Sequence, residues 1–290
     1  QKYSNRGAKS VLEKMEETSL GTNWNYATQW SFHPKEVISF VYPYFYGLQN
    51  FSTRDLKSAA YWGYMPFTQS THYLGLIALI LASIGVLIKK PDKTSLFFWI
   101  TTILILITGF GKFFPLLYKP FFELFPFFSK FRIPSMIYAL LPITISILAA
   151  KGYDILVSSK GEKHIFKKAL YFVGGIVAVS FLFLIVSDFM IDFSSSKDGR
   201  YNSSIQGQLR SIRYDLFNKG CFLAISVSLC FLGLYYSYVE NKITKSLFNF
   251  GVIGLIILDL GVLNNEFINV KPKKNMDRMF KKNSIIDHLI

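Results

Sequence analysis

Two carboxylates stand where a carboxylate is costly. Asp259, in "IILDLGVLNN", lies inside an apolar run, and Glu36, in "FHPKEVISF", follows His33 at the edge of an aromatic stretch. An ionisable group at membrane depth defaults to a paired or functional role. A carboxylate beside an imidazole can move protons to and from a substrate. Glu36 and Asp259 are therefore the candidate catalytic residues. Each also has a structural reading: "HPKE" reads as a helix start with proline in its first turn, and a Tyr, Lys or Arg of a neighbouring span can satisfy Asp259. The cations form a second group. Lys130 and Arg132 in "FFSKFRIPS", and Arg210 and Arg213 in "QLRSIRYD", are candidates for holding a lipid phosphate. Arginine suits that task because its planar fork meets two oxygens at once, although an arginine beside a span also serves as a snorkelling anchor. Trp30 and Trp62 can stack on a sugar ring or anchor at the membrane interface. No Gly-rich phosphate loop, nucleophile elbow or His-rich zinc motif is present. Cys221 and Cys230 share one apolar run and imply no disulfide framework.

The elements that must position these residues follow from hydropathy. Of 290 residues, 51% are hydrophobic, which together with long apolar runs points to a membrane protein. A crossing needs about 20 mostly apolar residues. Six segments are expected as helices, at about 73–88, 95–110, 134–156, 169–186, 220–239 and 247–263, because lipid offers no partner to an unpaired backbone group. The fold class is thus all-α and polytopic: an outer loop with interfacial helices over 1–72, a six-span region over 73–264, and the start of an extracytoplasmic tail over 265–290. The loops "KKPDKT", 151–168 and "ENKITK" are short and lysine-rich, which favours the cytoplasm. That leaves 1–72, 112–131 and 188–219 outside. The segment "FFELFPFFSKFRIPS" is too aromatic for a solvated loop and too broken by proline for a span. It reads as a pair of interfacial helices or a re-entrant loop at the outer leaflet. The net charge of +14 is scattered over membrane loops, with no basic helix or RNA-binding motif, so anionic lipid headgroups explain it better than nucleic acid.

Five stretches, in order, resemble the bacterial YfhO-type membrane proteins: "YATQWSFHPKEVISFVYPYFYG", "YWGYMPFTQSTHYLGLIALILASIGVL", "GKFFPLLYKPFFELFPFFSKFRIPSM", "LRSIRYDLFNKG" and "LIILDLGVLNNEFINVKPKKNMDRMFKKNSIIDHLI". The resemblance implies a GT-C-like architecture in the bacterial cytoplasmic membrane. It implies transfer of a sugar from a polyprenyl-phosphate carrier to a cell-envelope acceptor on the outer face, as in glycosylation of polymers such as lipoteichoic acid. Some such enzymes use a divalent cation. Their catalytic acid usually lies in the first outer loop, which is expected upstream of Gln1 in a longer chain. The resemblance also places the aromatic segment beside the entry of the lipid carrier, with Arg132 at its phosphate. Two other readings compete: a transporter or flippase for a lipid-linked or anionic solute, which would use Asp259 and the basic loops, and a non-catalytic envelope-assembly scaffold.

Overall fold

The computed structural model describes residues 23–48, 56–66, 72–88 and 90–268. The remainder of the expected outer loop and tail lies outside the described residues. The chain is helical, with no strand among the described residues: α1 (Trp24–Ala27), α2 (Leu76–Leu87), α3 (Lys93–Gly109), α4 (Pro115–Leu124), α5 (Leu141–Ser158), α6 (Lys163–Met190), α7 (Ser203–Val239) and α8 (Lys245–Asn264). Short 3-10 turns fill several connections, including Pro34–Phe40 and Pro134–Leu140. Four stretches are long and apolar enough to cross a membrane: Pro134–Ser158, Lys163–Met190, Ser203–Val239 and Lys245–Asn264. The chain is a multi-pass, all-α membrane protein by that measure. The first two expected spans fold as α2 and α3, of 12 and 17 residues. At 1.5 Å per residue they reach about 18 and 25 Å, short of a hydrocarbon core of about 30 Å.

The shortest apolar helix is the most central. Leu76, Ile77, Ile80, Leu81 and Ile84 of α2 are almost fully buried, and α2 packs against α5, α7 and α8. The backbones of α2 and α5 nearly touch. A Cβ on Gly152 would stand 1.8 Å from the Leu81 carbonyl oxygen, so glycine is required there, as at other close membrane-helix contacts. Helix α6 pairs with α7, and α3 lies on α5. The outward faces are apolar: Phe97 and Ile100 of α3 and Phe181, Ile185 and Phe189 of α6 are exposed, the surface expected against lipid.

The two ends of the bundle differ. At one, the short loops bring Lys151 to Asp92, Lys168 to the Ile88 carbonyl and Lys160 over the Tyr238 ring. At the other, segments 23–48, 56–66, 110–135 and 191–219 fold together into a layer over the helices. Helix α7 joins layer and bundle. Its 37 residues extend about 55 Å, so its first turns rise into the layer while its later turns pack among the spans.

Candidate functional site

The layer is knit by polar groups that reach across the sequence. Ile133 N–H donates to the Ala27 carbonyl (2.9 Å), Lys112 N–H to Ser31 Oγ (3.0 Å) and Ser135 Oγ to the Trp30 carbonyl (2.9 Å). The aromatic segment "FFELFPFFSKFRIPS" thus lies against residues 24–31. It begins within α4, a single short helix with Leu116 and Leu124 exposed, followed by exposed Phe125, Phe127 and Phe131. The helix ends at Leu124 because Phe125 precedes Pro126, and the proline ring drives Phe125 to extended backbone (φ −83°, ψ 129°).

Lys130 and Arg132 sit in the turn that follows. It is bounded by two left-handed residues, Phe127 (φ 66°) and Ile133 (φ 67°). Left-handed backbone is a real outlier for a β-branched side chain such as Ile133, and such strain concentrates where a structure fixes a functional group. The Arg132 guanidinium lies 5.2 Å from the Tyr26 ring and 5.6 Å from the Trp30 ring, and it donates to the Tyr26 hydroxyl. No carboxylate pairs with it among the described residues. Lys130 Nζ is 5.2 Å from the Phe127 ring. Two cations are therefore held on aromatic faces beside the apolar surface of α4.

Glu36 stands in a second cluster of the same layer. It is 4% exposed. Its Oε2 accepts from the Tyr61 hydroxyl (3.0 Å) and its Oε1 from Tyr64 N–H (2.9 Å). Lys197 approaches the same loop with the opposite charge, donating to the carbonyls of Gly63 (2.9 Å) and Met65. The loop "YWGYMP" is thus clamped by both polarities: the carboxylate takes its donors and the ammonium takes its carbonyls. Burial raises the Glu36 pKa, opposed by the Tyr64 and Tyr61 hydrogen bonds and by Lys197, while burial lowers that of Lys197. The clamp presents Tyr64 outward, 46% exposed, parallel to the His33 ring at 3.6 Å with Phe113 edge-on to both. His33 Nδ1 accepts from Lys35 N–H (3.1 Å), which places the proton of the neutral ring on Nε2. Burial, then Lys35, lowers its pKa.

The other sequence candidates divide sharply. Asp259 is fully buried and caps α2 from another helix: its Oδ2 accepts from Ile77 N–H (3.2 Å) and its Oδ1 from the Tyr73 hydroxyl. The residue at the cap position of α2 is Gly75, which has no side chain to do this. An acid at a helix N-terminus meets free N–H groups and the positive end of the helix dipole, so the costly carboxylate has its partners. Arg213 is corrected from its phosphate-binding reading. Its fork holds Asp198 at 2.6 and 2.8 Å, and its other donors take the carbonyls of Ala60 and Phe193, each at 2.9 Å. Buried and saturated, it cannot also hold a phosphate. Arg210, three residues earlier, is exposed and stands 3.5 Å from Asp192. Trp62 is corrected from its sugar-stacking reading: Phe45, Tyr46 and Phe193 pack on it and its indole donates to the Phe45 carbonyl (2.9 Å). Trp30 lies in the layer beside Arg132, its ring 5.6 Å from the guanidinium.

Sequence reasoning missed Lys197, Asp198, Tyr26 and the His33–Tyr64 stack. Asp198 carried a readable signal, since Ser195-x-x-Asp198 forms a capping box at the turn Ser196–Arg200. The partners of Lys197 and Tyr26 lie more than a hundred residues away and leave no local trace. Among the described residues no three His, Cys, Asp or Glu side chains gather as metal ligands.

No protein-family model, curated protein or solved structure matches this chain. The likeness to the YfhO-type proteins rests on the five stretches quoted above.

Proposed function

We propose that this chain is the donor-lipid-binding part of a bacterial membrane glycosyltransferase, one that moves a sugar from a polyprenyl-phosphate carrier to a cell-envelope acceptor. The observation that carries this reading is Arg132: a guanidinium laid on Tyr26 and Trp30, without a carboxylate partner among the described residues, beside the exposed apolar surface of α4. A lipid whose tail lies in the membrane would place its phosphate at that level. Arg132, with Lys130 beside it, would then neutralise the phosphate as the bond from the sugar carbon to the phosphate oxygen breaks and the acceptor oxygen takes its place. The acceptor proton passes to a base. Glu36 and Asp259 are both buried, and their oxygens already accept from Tyr61, Tyr64, Tyr73 and Ile77. Their part in this scheme is to position the "YWGYMP" loop and α2. The lysine-rich end faces the cytoplasm in this proposal, and a reporter fused at Lys160 that reads out as external overturns that orientation.

The reading is tested by transfer from a polyprenyl-phosphate sugar in membranes. Arg132→Ala should lower the rate by about tenfold or more, a single charge-assisted contact of roughly 1.5–3 kcal/mol. Arg132→Lys should restore part of it, and Lys130→Ala should cost less. An unchanged rate in Arg132→Ala ends the assignment. The transporter alternative loses its main support, because the intramembrane carboxylate that would serve it caps α2.

A further inference from the structure

Between α5 and α8 runs an apolar groove of about 480 Å³. Its floor is Ala78 and Leu81 of α2. One wall is a stripe of small residues on α5, Pro142, Ser146 and Ala150, spaced four apart; the other is Ile253 and its neighbours on α8. The three α5 residues are exposed, so the groove opens toward the membrane. Both ends carry polar pairs. At the inner end Tyr153 donates to Asn249 Oδ1, and at the outer end Leu74 and Leu260 adjoin the Tyr73–Asp259 pair.

Its dimensions decide what fits. Residues 142 to 153 of α5 rise about 16 Å, close to half of a hydrocarbon core of about 30 Å. A transmembrane helix would need the full thickness. A single hydrocarbon chain is the occupant that matches a slot one leaflet long, apolar apart from Ser146 and the Tyr153–Asn249 pair at one end, and open sideways to lipid. We infer that this groove binds one acyl chain of a phospholipid of the outer leaflet, with its headgroup toward the aromatic layer and its chain end toward Tyr153 and Asn249. The small residues Ser146 and Ala150 keep the slot open. Packing inside the slot, rather than exclusion from water, holds the chain, as for other contacts within lipid. This inference rests on the membrane architecture and the orientation proposed above, and stands apart from sugar transfer.

The test uses the full chain in vesicles of phosphatidylethanolamine and phosphatidylglycerol, doped with phosphatidylglycerol bearing a photoreactive diazirine on one acyl chain. With the diazirine at the chain end, crosslinks should concentrate near Tyr153 and Asn249, several-fold above those on the lipid face of α6 at Val179. With the diazirine near the glycerol they should move to Leu74 and Leu260. Ser146→Phe with Ala150→Phe should bring groove labelling down to the Val179 level while labelling at Val179 stays constant. Ser146→Leu alone gives a milder version, should the double variant fold poorly. Equal labelling of groove and α6 face, labelling indifferent to the filling variants, or the reverse depth order overturns the inference. So does efficient disulfide formation between copies carrying Ala150→Cys, which would show the groove covered by a second chain.

Discussion

The two ends of this bundle are built on different physics. At the lysine-rich end three short loops turn the chain, and their charges sit in solvent: Lys151 and Asp92 pair at 2.8 Å with side chains 39% and 52% exposed. At the layer end Arg213 and Asp198 pair at 2.6 Å with side chains 1% and 9% exposed, and the arginine also gathers two carbonyls from other segments. The lysine-rich end is held by helices packing on helices. The layer has little regular secondary structure to satisfy its backbone, so buried charged side chains do so. Buried polar groups require partners, and here those partners tie residues 56–66 and 191–219 to one arrangement.

The largest effect should come from breaking that buried pair. Arg213→Met leaves Asp198 buried without its partner and strands two carbonyls, a loss of about 3–5 kcal/mol. The layer should loosen while the helices persist: protease cuts would appear in 56–66 and 191–202, with helical circular dichroism retained. Arg213→Met together with Asp198→Leu removes both charges and should recover a large part of the loss. A single variant as stable as the parent would mean that the pair does not organise the layer.

Breaking the other half of the comparison takes a backbone contact instead. Gly152→Val places a methyl-bearing carbon where the Leu81 carbonyl stands. Overpacking of this kind costs about 1–3 kcal/mol, and α2 and α5 must move apart. The whole bundle should lose stability on heating in detergent, without the selective proteolysis expected for Arg213→Met. If the two variants gave the same cleavage pattern, the two ends would not be distinct units.

This contrast explains what could be read in the sequence. The spanning helices were legible because lipid imposes one requirement, a long apolar helix, and composition shows it directly. So was the grouping of 112–131 and 188–219 with the N-terminal segment, since alternating spans fix which loops share an end. The candidate site was legible only as residue types at the edges of elements. The Tyr26 and Trp30 rings beside Arg132 lie more than a hundred residues away and leave no local trace. A buried arginine and an exposed phosphate-binding one look alike in "QLRSIRYD", and only the partners of Arg213 at Ala60, Phe193 and Asp198 separate them. The shortness of α2 was hidden too, because "YLGLIALILASIGVLI" is apolar from end to end while the helix begins only after Gly75, at φ 90°.

Acid should sharpen the comparison, because the layer end holds a half-buried imidazole. Burial lowers the His72 pKa to about 4, and its ring packs edge-on against Phe32 and Tyr138. An unfolded histidine titrates near 6.5. With the folded value the lower one, the contribution of His72 is complete above pH 6.5 and is lost as pH falls toward 4. Glu36 acts in the opposite sense: its pKa is raised by burial, so its cost grows as pH rises past the unfolded value of about 4.3. Melting followed by tryptophan emission should show a loss between pH 6.5 and 4. His72→Phe should flatten it, and a slope unchanged by that substitution would assign the loss elsewhere.

The smallest effect is expected at the lysine-rich end, and its smallness separates the two ends. Asp92 accepts from Lys151 and also from Ser95 N–H (2.8 Å), capping α3. The hydrogen bond from Lys151, then those from Ser95, hold its carboxyl well below the usual range. A low pKa on an exposed group records charge stabilisation that water and salt would largely supply anyway. Lys151→Met removes the pair and keeps the cap, so melting should change little and added salt should leave the variant and the parent alike. The same salt should barely affect the buried Arg213–Asp198 pair, whose surroundings exclude ions. A large, salt-sensitive loss in Lys151→Met would mean that charge, not helix packing, closes the lysine-rich end, and the distinction between the two ends would fail.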